Sequence, residues 1–486
     1  MRRRTLQWLE KNEGLIFLII LAIILRVPSL YEPYWYGDEG IYLVMGQALR
    51  KGLVFYRDIH DNKPPLLYLL GAIAGNVFWF RTILMLWFGA TIVVFFRLMQ
   101  VLLPKNIKSW YLSTLALILG TTLLEGNVAN AEIFMIGPII AGMLLAFLQK
   151  TNNKSQASNK KRLLMIGGLF SVAFLFKVPA GFDFGALLLW WIIWKKKKLK
   201  HILLGFSIPI GLTLIYYRLA GGLERYVRSA LLQNIGYLSS WKSSQSGLLI
   251  RGGILILMLI LFYRTAKKFN LSAKVKLIII WFLMALFGAL LSERPYPHYL
   301  IQPIVPGVIL LSYLIFSKRK VLKSIILILS LLAGINYYQI RFWHYPVFAY
   351  YQNFGKYVLG RKSKEEYNSF FDWRVNQTYK VAEYLRKKTF PDEKIFIWGD
   401  EPYIYALAKK LPIGKYAVAY HIVDFNGYEE TVEAWDKYKP RIVIVMEYEK
   451  RQFPEMEARL KNDYLLIKKI DKALIYKRIN GKNGKT

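Results

Sequence analysis

Apolar and polar positions alternate in blocks along the first two thirds of the chain. Runs such as "GLIFLIILAIIL" (14–25), "LLMIGGLFSVAFLF" (163–176) and "VKLIIIWFLMALFGALL" (275–291) are separated by short polar stretches. Each run approaches the roughly 20 residues that cross a bilayer core of about 30 Å. The pattern predicts spans near 14–30, 79–99, 110–124, 133–149, 163–178, 180–194, 202–219, 247–263, 276–292, 299–316 and 321–340. The fold class that follows is a polytopic α-helical membrane protein with about 11 transmembrane helices. Beyond residue 340 the greasy blocks stop. "KIFIWGD" reads as a buried strand, "EPYIYALAKK" and "EETVEAWDKYK" as helices, "RIVIVMEY" as a strand, and "YLLIKKI" with "ALIYKR" as a closing pair. Residues 341–486 are therefore expected to form a soluble α/β domain, and 1–340 the membrane domain. The α/β part has no GxGxxG, so its strand–turn–helix pattern does not imply a nucleotide.

Composition sharpens this picture. The chain has 486 residues, is 55% hydrophobic and carries a formal charge of +36. In a soluble protein that charge would suggest nucleic acid. Here the basic residues fall in runs between apolar blocks, such as "KSQASNKKR", "KKKKLKH" and "SKRK". With Met1 on the cytoplasmic side, the basic loops at 97–108, 150–162, 195–200, 264–276 and 317–323 all fall inside. This is the distribution that orients membrane proteins, and it argues against a nucleic-acid partner. The loops at 31–78, 120–132, 220–246 and 293–298 then face outward, as does the C-terminal domain. There are no cysteines, so disulfides, thiolate zinc sites and cysteine nucleophiles are excluded. The first apolar block lacks a small-residue cleavage site and reads as a retained span.

The candidate chemistry lies in the first outer loop, "WYGDEGIYLVMGQALRKGLVFYRDIHDNKPPLLYLL". After Asp38, the residues Ile41, Val44, Met45, Ala48 and Leu49 recur at helical spacing, which predicts an amphipathic helix at the membrane surface ending near Gly52. Asp38 stands where an N-cap would stand, and Glu39 in the first turn. Pro64 and Pro65 suit the start of another helix, capped by Asn62 or Asp61. Lys63 is thereby pinned beside the membrane, as a snorkelling side chain or a functional one. Carboxylates held at an interface are costly unless they have partners or work. Glu125 and Glu132 recur at the next outer turn, where Glu132 also suits a helix N-terminus. Arg26, Arg81, Lys177, Arg294, His298 and Tyr299 lie at outer ends of spans or in outer turns. This one-sided set of carboxylates and cations suits glycosyl transfer from a lipid-linked sugar phosphate. A carboxylate takes the acceptor's proton, and cations or a divalent metal ion meet the leaving phosphate.

At these residues the sequence resembles the GT-C superfamily of membrane glycosyltransferases. The similar branch contains protein O-mannosyltransferases and the bacterial aminoarabinose transferases of lipid A. The resemblance rests on Asp38-Glu39 after the first span, Tyr42, Gly52, Tyr56-Arg57-Asp58, Lys63-Pro64-Pro65, Glu132 in "ANAEIF", and "RPYPHYLIQPIVP" near residue 300. Asn62 stands where aminoarabinose transferases tend to carry Glu, which points away from lipid A as acceptor. The resemblance implies an inverting transferase that uses a polyprenyl-phosphate-linked sugar. Asp38 would be the base or acceptor-orienting carboxylate, with Glu39 and Glu132 assisting. Lys63, Arg81, Lys177 and Arg294 would bind the donor phosphate. Asp58, His60, His298 and Tyr299 would lie near substrate or a metal ion. The implied partners are the lipid-linked donor, membrane lipids and an acceptor glycan, lipid or protein; a compact chain without a eukaryotic-style acceptor module fits a bacterial inner membrane, with an archaeal or endoplasmic-reticulum membrane as the alternatives. Two other classes fit parts of the pattern. A flippase for lipid-linked sugars would use the basic groups without needing the acidic pair. A sensor or assembly protein would work through "IFIWGDEPYIYALA", with Gly399, Asp400, Tyr403 and Tyr405 exposed.

Overall fold

The structure is a computed structural model that describes residues 2–148, 156–195, 199–233 and 245–479. Helices occupy every predicted span position. In chain order the first helices are α1 (Arg2–Arg26), α2 (Gly37–Arg50), α3 (Leu66–Ala74), α4 (Val77–Leu102), α5 (Ile107–Leu123), α6 (Ala131–Phe147), α7 (Gln156–Phe176) and α8 (Ala180–Trp190). Seven helical segments among the described residues are long and apolar enough to cross a membrane: Asn12–Tyr31, Val77–Leu102, Lys200–Leu219, Leu248–Lys268, Ala273–Leu290, Pro297–Phe316 and Lys320–Ile340. At the remaining span positions, α5, α6 and α8 are shorter, and α7 begins with the polar stretch "QASNKKR".

The chain forms two compact units. The first comprises residues 1–29, 81–219 and 230–347; the second comprises 30–80, 220–229 and 348–486. The loop at 31–78 thus belongs to the same compact unit as the C-terminal residues. Within the first unit, α7 meets helix Lys200–Leu219 at two glycines. A Cβ on Gly167 would lie 2.0 Å from Ile202 O, and one on Gly205 would lie 2.2 Å from Leu164 O. Close backbone approach through small residues is a common way for helices to pair in lipid, where apolar burial alone gives little drive.

In the second unit, a four-stranded sheet has the order β1-β2-β4-β3. The strands are β1 (Phe396–Trp398), β2 (Ile442–Met446), β3 (Tyr464–Ile470) and β4 (Ala473–Arg478). β1 and β2 run parallel, and the others pair antiparallel, with β3 and β4 the expected closing pair. Phe396, Trp398, Trp435 and Phe453 form its aromatic core. Helix Pro402–Ala408 follows β1 and packs on α2, where Gly40 lies under the Pro402 and Tyr403 rings. The hydroxyl of Tyr403 donates to Tyr36 O. Tyr403 and Tyr405 are buried, which removes the exposed tyrosines that the sensor or assembly alternative requires. The apolar run in "IYALA" is packed inward, and the Tyr405 hydroxyl accepts a bond from the Ile397 amide. α2 is enclosed on nearly every side from Glu39 to Ala48. Its other neighbour is α3, crossed at Gly46 and Gly71.

A Cβ on Gly46 would lie 2.4 Å from Ala72 N and Gly71 C. Because those atoms are backbone, Gly46→Ala must push two helices apart, at about 1–3 kcal/mol. The thermal midpoint of the purified protein is expected to fall. Gly89→Ala, where a Cβ would meet nothing within 4 Å, is expected to leave it unchanged or higher. Equal midpoints for Gly46→Ala and wild type would refute the close crossing.

Candidate active site

α2 begins without a side-chain cap: its N-cap is Tyr36, and no side chain bonds back to the first turn. Asp38 therefore does not cap, contrary to one of its two expected roles. Its Oδ2 instead accepts a hydrogen bond from the Tyr42 hydroxyl at 3.1 Å and lies 3.3 Å from Lys63 Nζ. Tyr42 follows Asp38 by one helical turn, so the two side chains share a face. The Lys63 ammonium also sits over the Tyr42 ring, 5.1 Å from its centre. Burial, with Asp38 next in weight, raises the Tyr42 pKa well above its usual value. The phenol therefore stays protonated and donates. Glu39, one position on, is fully enclosed.

Lys63 is presented by a tightly held loop. Gly52 and Tyr56 both have positive φ, 80° and 68°. Such a φ is uncommon for a bulky residue. Tyr56 is fixed there by packing on Phe55 and Tyr226 and by a hydroxyl bond to Lys63 O at 2.6 Å. Asp58 is gripped by both nitrogen edges of Arg57, at 2.8 and 2.9 Å, and accepts from the Val54 amide. The Arg57 bonds come first among the causes that hold its carboxyl below the ordinary range. Asp58 thus braces the turn. Neither Asp61 nor Asn62 caps α3, whose N-cap is Pro65 without a side-chain bond. Asp61 is buried, accepts from the Asn62 amide and receives the Tyr68 hydroxyl at 2.7 Å. His60 is buried beside Phe425, with Nδ1 3.3 Å from Ser229 Oγ.

The first compact unit carries a second cluster, built from three turns. Glu132, in the first turn of α6, pairs with Lys177, and both side chains are largely buried. Lys177 Nζ lies 3.9 Å above the Tyr299 ring. His298 stands between two carboxylates: Nδ1 is 2.8 Å from Glu125 Oε2, and Nε2 is 3.9 Å from Glu132 Oε1. Glu125 adopts φ 60°, which helps aim it at the histidine. Arg294 lies half-buried in the same turn as His298. Arg26 and Arg81 are buried and bind backbone, Arg26 donating to Gly126 O and Arg81 to Ser29 O.

The predicted residues thus fall into two groups. Asp38, Lys63 and Tyr42 meet in one unit; Glu125, Glu132, Lys177, His298 and Tyr299 meet in the other. His60 and His298 belong to different units. Among the described residues no three His, Asp or Glu side chains gather as a metal-binding set. Sequence reasoning passed over Asp183, fully buried in α8, which accepts from Trp281 Nε1 and Gln302 Nε2 at 2.6 Å each. Its signal was an acid inside an apolar run, where ionisable groups are rare and functional by default.

No protein-family model matches the chain, and no curated protein matches its sequence. Solved structures do. ArnT from Cupriavidus metallidurans bound to undecaprenyl phosphate aligns with a TM-score of 0.58 and 12% identity, over 98% of this chain and 100% of that one. The apo form of the same protein gives 0.57 and 12%, over 97% and 98%. The Archaeoglobus fulgidus oligosaccharyltransferase with Zn and sulfate gives 0.47 and 13%, over 89% and 68%. The likeness to ArnT establishes the fold. It is a many-helix fold with seven described helices long and apolar enough to cross a membrane, carrying a small C-terminal sheet.

Burial, and next the neighbouring His421, pull the His60 imidazole from 6.5 down to about 4. Above 6.5 both folded and unfolded forms are neutral, so the group adds no pH dependence. Below it the unfolded chain gains the proton first, and stability falls progressively as the pH approaches 4. Between pH 7.5 and 5.0 wild type is expected to lose about 2 kcal/mol more stability than His60→Gln. Denaturation midpoints at the two pH values measure this; parallel losses would show that His60 is not buried neutral.

Proposed function

We propose that this protein is an inverting glycosyltransferase that uses a polyprenyl-phosphate-linked sugar. It transfers the sugar to an acceptor hydroxyl on a glycan, lipid or protein at the extracytoplasmic face of a bacterial inner membrane. The observation that carries this reading is the Asp38 carboxylate, which does no capping work and is held by Lys63 and Tyr42. The shared fold supports the donor class, because the ArnT structure holds undecaprenyl phosphate. The basic runs of the sequence support a cytoplasmic N-terminus and an extracytoplasmic C-terminal domain.

The Asp38–Lys63 pair suggests an order of events. An anionic donor phosphate competes for the Lys63 ammonium. Asp38 then loses its counter-ion and is free to accept the proton of the acceptor hydroxyl. The acceptor oxygen attacks the anomeric carbon on the face opposite the phosphate. The carbon–oxygen bond to phosphate breaks with its electron pair going to that oxygen, and polyprenyl phosphate leaves as an anion. Lys63 meets the charge that develops there, so no acid is required for departure. Tyr42, kept protonated by burial, continues to orient the carboxylate through its hydroxyl. Glu39 and Glu132 as assisting carboxylates, and Lys177, Arg294 and Arg81 as phosphate-binding cations, keep the roles that the resemblance implies. Arg81 is the weakest of these, since its guanidinium is buried against backbone.

Purified protein in lipid, supplied with radiolabelled polyprenyl-phosphate sugars and candidate acceptors, is expected to consume one donor. Asp38→Asn should lower kcat by about 10²–10⁴-fold, whereas Lys63→Ala should raise donor KM and also lower kcat, because Lys63 meets both the bound and the departing phosphate. Full activity of Asp38→Asn would remove the base role. Donor binding without consumption by wild type would replace catalysis with transport or sensing.

A further inference from the structure

The ammonium of Lys63 is only as well placed as its backbone, and that backbone is held by a buried polar string. The Lys63 amide donates to the Tyr68 hydroxyl oxygen at 3.2 Å, and the same hydroxyl donates to Asp61 Oδ2 at 2.7 Å. Asp61 Oδ1 accepts the Asn62 amide at 2.6 Å and lies 3.6 Å from His421 Nε2. Asp61, Tyr68 and His421 are all nearly inaccessible to solvent, at 1%, 0% and 2% exposure. His421 sits on helix Ala419–Asp424, some 360 residues beyond the loop and within the same compact unit. A second anchor runs parallel to the first: the His60 amide donates to Lys415 O at 2.9 Å.

We propose that His421, acting through Asp61 and Tyr68, is a positioning residue that sets Lys63 against Asp38. The inference rests on the role given to Lys63 above and adds that the C-terminal α/β part supplies a working element of the loop. A buried carboxylate is costly unless partnered. Asp61 meets that cost with two short hydrogen bonds and the imidazole edge, and in return fixes the hydroxyl that receives the Lys63 amide. The adjacent prolines, Pro64 and Pro65, limit the backbone freedom that remains. A metal site is the competing reading of His60, Asp61 and His421. It fits poorly, because both Asp61 oxygens are already engaged and the two imidazole rings stand 6.4 Å apart.

The test uses the full chain in lipid nanodiscs. The rate at which an amine-reactive reagent labels Lys63 is read by peptide mass spectrometry, with exposed Lys380 as internal reference. Donor KM and kcat are measured alongside. Tyr68→Phe removes one oxygen and keeps the ring, so it carries the test even where His421→Ala fails to fold. Both variants are expected to raise relative Lys63 labelling severalfold and donor KM about tenfold, with a smaller fall in kcat. His421→Gln, which keeps a polar side chain beside Asp61, should recover most of the loss. Lys63→Ala/Tyr68→Phe should bind donor no worse than Lys63→Ala alone, because the second change acts only through the first. Unchanged Lys63 labelling in Tyr68→Phe, or independent losses in the double variant, would overturn the proposal. Altered labelling in a protein that consumes no polyprenyl-phosphate sugar would uphold the string and refute the transferase reading instead.

Discussion

The Lys63 ammonium, beside the Asp38 carboxylate and over the Tyr42 ring, is the interaction around which the loop at 31–78 is organised. Lys63 and Asp38 keep 21% and 33% of their side-chain surface in solvent. A partly wet pair of this kind contributes roughly 0–1 kcal/mol, far less than the loop costs to order at roughly 1–2 kcal/mol of backbone entropy per residue. The pair therefore does not hold the loop; the loop holds the pair. Its dry groups do that work: the Tyr56 hydroxyl on Lys63 O, the Tyr68 hydroxyl on Asp61, and the enclosed rings of Phe55, Tyr56 and Tyr68. A structure that spends buried contacts on positioning an energetically cheap ion pair is arranged for something other than stability.

The second cluster obeys the opposite rule. Glu132 and Lys177 expose only 4% and 17% of their side chains. At that depth the loss of one partner strands a charge and costs about 3–5 kcal/mol. His298 adds a titratable group between Glu132 and Glu125, so three residues from separate turns share the load. Activity lost on mutating Glu132 is ambiguous for this reason, whereas activity lost at Asp38 is not. The wet pair can be broken with little effect on folding, which makes Asp38 and Lys63 the informative positions.

Much of this was legible in the sequence. Block hydropathy marked the eleven predicted span positions, all of which are helical among the described residues, because a bilayer imposes a length and a polarity on each span. The strands at 396–398, 442–446, 464–470 and 473–478 were readable from short β-branched and apolar runs. Asp38, Glu39, Lys63, Glu132, Lys177 and His298 were readable as charges out of place. The ends of helices were read less well. Asp38 was a reasonable cap by residue type, but its side chain turns to Tyr42 and Lys63, a tertiary choice that local propensity does not contain. The burial of Tyr403 and Tyr405 is tertiary too. Likewise nothing local to "AYHIVDF" announces that His421 faces Asp61, since the two are joined only by long-range packing.

The α/β part is better understood through what its charges are doing than through its fold. Under the sensor or assembly alternative the turn after β1 holds the site around Asp400, with Glu401 beside it at the strand end. Both acids are already committed. Asp400 takes both arms of Arg451, and Glu401 takes Arg374, Thr378 and Tyr448. Burial, its largest cause, raises the Glu401 pKa, as befits an enclosed, fully partnered acid rather than one presented to ligand. With its strand-end acids spent on internal bonds, the turn has little left for chemistry of its own. It does set the start of helix Pro402–Ala408, and that helix packs against α2 at Gly40, two residues from Asp38. A larger residue at 40 would meet the Pro402 and Tyr403 rings within about 3 Å, so the helix carrying Asp38 is gauged directly against the sheet's own connection. The sheet therefore acts as a frame for α2, which accounts for a C-terminal α/β part folding as one compact unit with a loop more than 300 residues earlier in the chain.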